Sequence, residues 1–288
     1  MRKWASRKGP SYPVLIALFL FFFIVPVLTL GPVVRSLFFS ETVITAQPAD
    51  NFIATAINIA GRGAFLKVPD ATQLVPRAGE DFLAIAWLKI QDLPKQGQRM
   101  FLMSRFDAES GKKGGYAVAL SRVLESMRPE LYWSDEHGHG GWYTFSDVSI
   151  LPGEWFMVAL TYYTDHHLGV FVGSYEADGR YRLQNAGGYY LNQSVVPVNT
   201  FPLKVGSVKT GLFSGSVGPV GVFSKPDLHT DLKRILKNLI KEPSSLPTVL
   251  EEKNVIFWSP DGKSDIGPQN HEIRLVEPIK LKSNEIKG

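Results

Sequence analysis

The 288-residue sequence predicts a mainly β protein, an antiparallel β-sandwich or barrel, that follows a single membrane-spanning helix. Three observations lead to this prediction. Residues 14–34 are almost wholly apolar, about ten short β-rich runs follow them, and one amphipathic helical pattern comes after those runs. The 44% apolar and 20% charged residues match a globular protein and exclude a disordered chain or a fibre.

The basic residues that make the chain cationic lie at its amino end. Arg2, Lys3, Arg7, Lys8 and Arg35 belong to residues 1–35, which contain no Asp or Glu. The formal charge of +4 therefore describes this segment, and the rest of the chain is close to neutral. Because a domain that binds DNA or RNA needs a basic folded face, the charge distribution argues against a nucleic-acid partner.

The apolar segment has the length of one membrane crossing. No charged residue occurs from Gly9 to Val34, and at about 1.5 Å per helical residue this stretch spans the roughly 30 Å hydrocarbon core of a bilayer. Four basic residues precede it and one follows, so the positive-inside rule places the amino end in the cytoplasm and the main domain outside. A cleaved signal peptide is the alternative, but no small-residue cleavage site follows Leu30.

The absence of cysteine bears on the compartment of the main domain. Exported eukaryotic domains usually contain disulfides, whereas a domain of this size is stable without them. We therefore expect the inner (cytoplasmic) membrane of a bacterium, with the main domain in the periplasm or outside the cell.

The predicted strands are short runs separated by Gly, Pro, Asp and Asn. In Phe82–Ile90, large apolar side chains occupy even and odd positions alike, which is typical of a strand buried on both faces. No repeat of 20–50 residues is visible, which argues against a propeller or a solenoid. The other predicted runs are Ala64–Val68, Met100–Phe106, Tyr116–Ser121, Leu131–Ser134, Trp142–Val148, Trp155–Tyr163, Leu168–Gly173, Leu203–Gly206 and Ser216–Phe223.

One amphipathic helix is predicted near the carboxyl end, with Thr230 as its N-cap and Pro243 as its stop. We expect its apolar side to pack on the sandwich, and its basic flank leaves contact with anionic lipid headgroups open as the alternative. Two further strands, Val255–Trp258 and Glu272–Val276, and a Lys-rich tail follow. The apolar positions of the helix are Leu232, Ile235, Leu236, Leu239 and Ile240.

Seven motifs in order resemble those of LamG-like, concanavalin A-like jelly-roll domains. The resemblance covers about residues 50–240 and implies a two-sheet jelly roll. This fold hosts lectins, hydrolases and adhesion modules, so the resemblance leaves the function open. The motifs are Phe82–Lys89 (FLAIAWLK), Phe101–Asp107, Gly115–Leu120, Gly153–Tyr162, Leu168–Gly173, Pro202–Gly206 and Phe213–Phe223.

These observations divide the chain into five parts. A basic cytoplasmic segment (1–13) precedes the transmembrane helix (14–34), and a linker (35–48) leads to the LamG-like jelly-roll domain (49–242). A C-terminal extension (243–288) contains the last two short strands and the polar tail.

A glycoside hydrolase requires two carboxyl groups that face one cleft. The strand interiors contain almost no acids, and Asp81, Glu130, Glu154 and Asp178 fall at predicted strand ends or turns. The Glu-x-Asp-x-x-Glu pattern of the jelly-roll glucanases is absent from the sequence. We interpret the four acids as solvated turn residues and predict a protein with no catalytic residues and no enzymatic activity.

Two metal sites can be proposed from the sequence. Asp135, His137 and His139 have the side chains and the spacing to ligate a transition metal, although a Gly-rich β-hairpin explains the same segment. The resemblance to LamG-like domains also implies a calcium ion, with Asp107 as a candidate ligand. Lys112 and Lys113 in the same loop oppose cation binding. No other cofactor is expected.

The neighbouring residues Trp142 and Tyr143 are the candidate pair for stacking against a sugar ring, because they adjoin an exposed loop. Most of the other aromatic residues lie within predicted strands, where packing in the core or on a sheet is the commoner role.

From the sequence we favour a non-enzymatic, single-pass membrane protein whose jelly-roll domain contacts other proteins. It would be an accessory or stabilising subunit of a larger membrane complex, such as a photosynthetic reaction centre or a respiratory assembly. Its partners would be the membrane, through residues 14–34, and the other membrane-protein subunits. The alternative is a cell-surface carbohydrate-binding module or glycoside hydrolase, whose partner is a glycan.

Overall fold

The computed structural model describes residues 42–45, 57–59, 65–69, 73–106, 114–145, 148–175, 180–206, 213–224, 226, 228–229, 232, 234–236, 255–259 and 272–276. The chain divides into two compact units, Met1–Glu41 and Thr42–Gly288, and all described residues belong to the second. The predicted span at 14–34 therefore lies outside the described residues. Among the residues that are described, no helix has the length and apolarity to cross a bilayer.

The described chain contains fifteen strands, which form two antiparallel sheets. They are β1 (Thr42–Thr45), β2 (Ile57–Ile59), β3 (Phe65–Val68), β4 (Phe82–Ile90), β5 (Arg99–Arg105), β6 (Gly115–Val123), β7 (Ser126–Ser134), β8 (Gly140–Thr144), β9 (Trp155–Tyr162), β10 (His167–Tyr175), β11 (Arg180–Tyr190), β12 (Leu203–Gly206), β13 (Gly215–Ser224), β14 (Val255–Ser259) and β15 (Arg274–Val276).

Within each sheet, strands that are distant in the sequence lie next to each other. Sheet A has eight strands in the order β1-β11-β10-β9-β4-β13-β14, with β2 also paired to β13. Sheet B has seven strands in the order β15-β3-β12-β5-β6-β7-β8. The mainly β, two-sheet antiparallel sandwich predicted from the sequence is therefore confirmed.

Three strands, β1, β2 and β11, were not predicted from the sequence, whereas the two predicted C-terminal strands are present as β14 and β15. β1 pairs with β11 although it falls in the predicted linker 35–48, and β14 and β15 of the predicted extension join sheets A and B. The longest strand, β11, was not predicted because Gly187 and Gly188 interrupt its apolar pattern. A Cβ at Gly188 would lie 2.1 Å from Nε2 of His167 and 2.8 Å from the backbone oxygen of Leu168 on the neighbouring strand, so glycine is required there.

Aromatic rings from both sheets meet at the centre of the core. Trp133 of sheet B stacks on Tyr162 of sheet A at a centroid distance of 4.9 Å, and Phe82 packs edge-on against Tyr116 at 5.4 Å. The indole N–H of Trp133 donates to the carbonyl of Val195 at 2.8 Å, so the polar edge of the ring is satisfied. Burial raises the pKa of the Tyr116 hydroxyl well above its ordinary value.

A helix that includes residues 228–229, 232 and 234–236, here the C-terminal helix, covers the outer face of sheet A. Its residues Leu228, Leu232, Ile235 and Leu236 are buried against that face. The expected packing on the sandwich is confirmed for Leu232, Ile235 and Leu236. Leu228 and His229 are already helical, and the predicted N-cap Thr230, the positions Leu239 and Ile240 and the stop Pro243 lie outside the described residues. Because both faces of sheet A are covered, β4 is apolar at nearly every position.

Asp81 joins three elements at the end of sheet A where the central strand β4 begins. Its Oδ1 accepts the backbone N–H of Thr164 in the β9–β10 turn at 2.8 Å, and its Oδ2 accepts the N–H of Leu228 in the C-terminal helix at 3.1 Å. Only 8% of Asp81 is exposed. The sequence interpretation of Asp81 as a solvated turn residue is wrong, because backbone donors from separate parts of the chain replace its water.

We expect the substitution Asp81→Ala to lower the free energy of unfolding by about 1–3 kcal/mol, because the buried N–H group of Leu228 and the partly buried N–H group of Thr164 lose their acceptor. Urea unfolding followed by circular dichroism measures this loss. The control Glu154→Ala removes an exposed carboxylate and should change the free energy of unfolding by less than about 0.5 kcal/mol. Equal effects of the two substitutions would contradict the structural role of Asp81.

Four rings form a ladder beside the C-terminal helix. Tyr190 stacks on His167 at 4.6 Å, His167 stacks on Tyr163 at 5.3 Å, and Tyr163 lies 5.0 Å from His229 of the helix. Burial lowers the pKa of His167 and His229 lowers it further, against the opposing effect of Asp165. The folded protein therefore favours the neutral form of His167.

This preference makes stability depend on pH. A histidine whose pKa is lower in the folded protein contributes its full stability above the unfolded pKa of about 6.5 and loses it as the pH falls towards the folded value. We expect the free energy of unfolding to decrease below about pH 6.5, and to decrease less in His167→Phe, which retains the stacking. Chemical unfolding across the pH range tests this, with His137→Gln as an exposed control. Parallel pH profiles for wild type and His167→Phe would contradict it.

Candidate functional site

The β7–β8 hairpin contains the predicted transition-metal ligands and is closed by Asp135. Asp135 Oδ1 accepts the backbone N–H groups of His137 at 3.0 Å and His139 at 2.8 Å, and Oδ2 lies 2.7 Å from Nδ1 of His139. Burial raises the pKa of Asp135, but the hydrogen bonds from His139 and His137 and the charge of His139 outweigh it and lower the pKa below its ordinary value.

The carboxylate of Asp135 therefore has a structural role within the hairpin. In the part of the chain that the structure describes, no group of three or more His, Cys, Asp or Glu side chains is arranged to hold a metal ion. The predicted calcium ligand Asp107 lies outside the described residues.

We expect Asp135→Ala to destabilise the hairpin by about 1–2 kcal/mol, because two backbone N–H groups lose their acceptor. Hydrogen exchange at the amides of His137 and His139 should become faster, which NMR or mass spectrometry measures. The control Glu136→Ala removes an exposed carboxylate and should leave both exchange rates unchanged. If Zn²⁺ slowed exchange in the wild type and not in Asp135→Ala, the metal interpretation would replace this one.

Trp142 and Tyr143 do not form a joint surface. Successive side chains of a strand point to opposite sides of its sheet, so Trp142 lies on the outer face of sheet B and Tyr143 on the inner face. Tyr143 packs against the core and lies 4.9 Å from Tyr189, and burial together with Tyr189 raises its pKa. The sugar-stacking pair predicted from the sequence is thereby divided, and Trp142 is its outer-face member.

Trp142 is the centre of a half-buried aromatic cluster on the outer face of sheet B. Its ring centroid lies 5.3 Å from that of Tyr132, 5.9 Å from Phe101 and 6.3 Å from Phe106. Phe106 and Tyr132 approach each other to 4.1 Å. The cluster draws on β5, β7, β8 and the residue after β5, so sheet B itself supplies it.

A charged pair borders this aromatic cluster. The guanidinium of Arg99 lies 4.1 Å from the ring centroid of Trp142, which is a cation–π contact, and its Nε donates to Glu130 Oε2. Glu130 is 7% exposed, whereas 43% of the Arg99 side chain is exposed. Glu130 lies within β7 and is buried, so its interpretation as a solvated turn residue is wrong.

One lateral row of residues crosses the whole width of sheet B. The strand register places Arg274 opposite Lys67, Lys67 opposite Lys204, and Lys204 opposite Ser104, and the row continues through Ala117 and Tyr132 to Trp142. At about 4.8 Å per strand, these seven residues span roughly 29 Å. Ser104 and Ala117 at the centre are fully buried, so the row presents cations at one end and aromatic rings at the other. We refer to it as the outer-face row.

Most of this site was not predicted from the sequence. The individual strands and Trp142 were predicted. The three basic residues were not, because Lys67, Lys204 and Arg274 belong to three strands that become neighbours only in the folded sheet. A signal was present, since Lys67 and Lys204 each stand between two apolar residues of a short strand, which places them on the face opposite the core.

The fold and this face define a two-sheet β-sandwich domain with one covered outer face and one outer face that carries aromatic and basic side chains. No protein-family model matches the chain, and no curated protein sequence matches it significantly. Its resemblance to LamG-like domains therefore remains a resemblance of motifs.

The solved structures to which this chain is partly similar come from several kinds of protein. Tailspike protein 2 of an Escherichia coli bacteriophage is 13% identical over 77% of this chain and 29% of its own, with a TM-score of 0.47. The binding domain of botulinum neurotoxin serotype G is 11% identical over 68% of this chain and 46% of its own, with a TM-score of 0.43. The chain thus spans less than half the length of either protein.

A third similar structure is the CBM40 of the Ruminococcus gnavus IT-sialidase bound to α2,3-sialyllactose. It is 12% identical over 56% of this chain and 85% of its own, with a TM-score of 0.39. Similarity at this level carries no argument about this chain, so its function has to be argued from its own residues.

Proposed function

We propose that the protein binds a carbohydrate on the outer face of sheet B and does not cleave it. The observation that carries this proposal is the outer-face row, which aligns basic side chains with Tyr132 and Trp142 on one sheet face. Sites for sugars combine aromatic rings, on which the C–H groups of a sugar pack, with a few charged or polar groups that bond to its hydroxyls. Trp142 and Arg99 supply both kinds of group within 4.1 Å of each other.

The contrast between the two outer faces supports sheet B as the binding face. On sheet A, the C-terminal helix buries Trp87, Tyr181 and Phe223 among other apolar side chains. On sheet B, Trp142 and Tyr132 are only partly buried, whereas Phe101, Ala117 and Ala119 of the same cluster are buried, so the exposed part of this face is the end at β7 and β8. Partly exposed aromatic side chains beside charged groups are typical of surfaces that bind ligands.

The positions of the acids support binding without cleavage. Glycoside hydrolysis by paired carboxyl groups requires two of them about 5–10 Å apart in one cleft. Glu130 is paired with Arg99 on the outer face of sheet B, whereas Asp81 binds the C-terminal helix on the opposite side of the sandwich. Asp178 lies outside the described residues. The accessory-subunit role predicted from the sequence rests on the span at 14–34 and stays a prediction.

We expect the substitution Trp142→Ala to weaken glycan binding on the order of 10- to 100-fold, because it removes an aromatic surface worth about 1.5–3 kcal/mol when a sugar covers it. A glycan array with the full chain in detergent identifies ligands, and titration calorimetry measures the affinities. Trp142→Phe retains part of the ring surface and should give an intermediate affinity.

The matched control is Tyr190→Ala, which removes an aromatic side chain that is 73% exposed on the other sheet and should not change glycan affinity. Thermal unfolding of each variant shows whether lost binding reflects lost folding. If folded Trp142→Ala and wild type bind a glycan equally, the binding face is not this one. If the wild type binds no glycan, the proposed function is wrong.

A further inference from the structure

We infer that the glycan is acidic and lies across the strands of sheet B, with its carboxylate or sulfate groups on the basic end of the outer-face row. This inference rests on the proposed function and names the class of ligand for that site. Its starting point is the register of three short strands, β15, β3 and β12, which places Arg274, Lys67 and Lys204 directly opposite one another.

Such an arrangement is unfavourable for a sheet by itself. Side chains at directly opposite positions of antiparallel strands have Cβ atoms about 4.5–5.5 Å apart, and like charges there repel each other. Lys67 has a basic residue opposite it on both sides. An anionic polymer that crosses β15, β3 and β12 would replace this repulsion with attraction, so the basic end of the row is suited to a bound anion.

The partners of the three cations differ. Arg274 donates to both carboxylate oxygens of Glu272, from Nε at 2.7 Å and from a terminal nitrogen at 2.6 Å, so its charge is largely balanced. Lys204 Nζ lies 5.7 Å from the ring centroid of Phe65, and within the described residues neither lysine forms an ion pair with a carboxylate. The two lysines are therefore the groups with charge available to an anion.

The charges on the described strands of sheet B agree with this assignment. Because side chains alternate along a strand, five basic side chains lie on the outer face of sheet B. Among the described outward residues of these strands, Glu130 is the one acidic residue, and it is paired with Arg99. A linear glycan with an anionic group on each sugar unit can present charges at intervals near the strand spacing of about 4.8 Å. The basic residues are Lys67, Arg99, Arg128, Lys204 and Arg274.

The experiment compares charged and neutral forms of the same polymer with the full chain in detergent. Polygalacturonate is paired with its methyl ester, and dextran sulfate with dextran, so that each pair differs in anionic groups. We expect the charged member of at least one pair to bind and the neutral member to bind at least about tenfold more weakly, with affinity falling between low and high salt. The pair that binds distinguishes carboxylate from sulfate as the recognised group.

Substitution of the lysines provides the second arm. Lys67→Gln and Lys204→Gln should each weaken binding of the charged polymer about fivefold, and the double variant on the order of tenfold or more. Both variants should unfold at a higher denaturant concentration than wild type, because the repulsion between opposite positions is removed. A loss of binding with a gain of stability cannot come from misfolding. Lys95→Gln, in an exposed loop, is the matched control and should change neither quantity.

The outcomes separate this inference from the proposed function. If neutral and charged polymers bind equally and the lysine variants bind like wild type, the glycan is not acidic and the inference is wrong. In that case, loss of binding in Trp142→Ala would still support the proposed function. If no polymer binds and the glycan array is negative, both are wrong. If double-stranded DNA binds as tightly as the acidic glycans and competes with them, the face recognises polyanions in general and the inference of a glycan is overturned.

Discussion

The rest of the domain depends on the burial of large aromatic side chains between the two sheets. Trp133 stacks on Tyr162 across the interface, and Phe82 and Tyr116 pack beside them. Each of these residues directs its strand neighbours to the opposite face, because side chains alternate along a strand. The aromatic core thus determines that Tyr132, next to Trp133, lies on the outer face of sheet B.

With the inner faces occupied, the two outer faces differ in chemistry. The C-terminal helix covers sheet A with apolar side chains, and Asp81 joins the start of β4 to that helix by accepting the backbone N–H of Leu228. Sheet B carries half-buried rings and basic side chains instead. The covered outer face of sheet A contributes to stability, whereas the outer face of sheet B carries side chains that can contact a ligand. The proposals on binding therefore concern sheet B.

Several parts of this structure follow from local pattern. The strand Phe82–Ile90 has the predicted bounds, and the apolar stripe at Leu232, Ile235 and Leu236 packs on the sheet as expected. The strand β11 was missed because Gly187 and Gly188 lack the side chains from which a strand pattern is recognised, and Gly188 is needed because the ring of His167 and the backbone oxygen of Leu168 leave no room for a Cβ. Asp81 and Glu130 were interpreted as solvated because their partners, Leu228 and Arg99, are distant in the sequence.

The sequence by itself therefore determined the fold class, most of the strands, the packing of the helix and the candidate Trp142. Tertiary structure alone decided that Trp142 and Tyr143 face different sides and that Lys67, Lys204 and Arg274 lie in one row with Trp142. The physical reason is that the periodicity of a sequence determines only on which face of a strand each residue lies. Strand order and hydrogen-bond register decide which distant residues become neighbours, and they are settled by the packing of both sheets together.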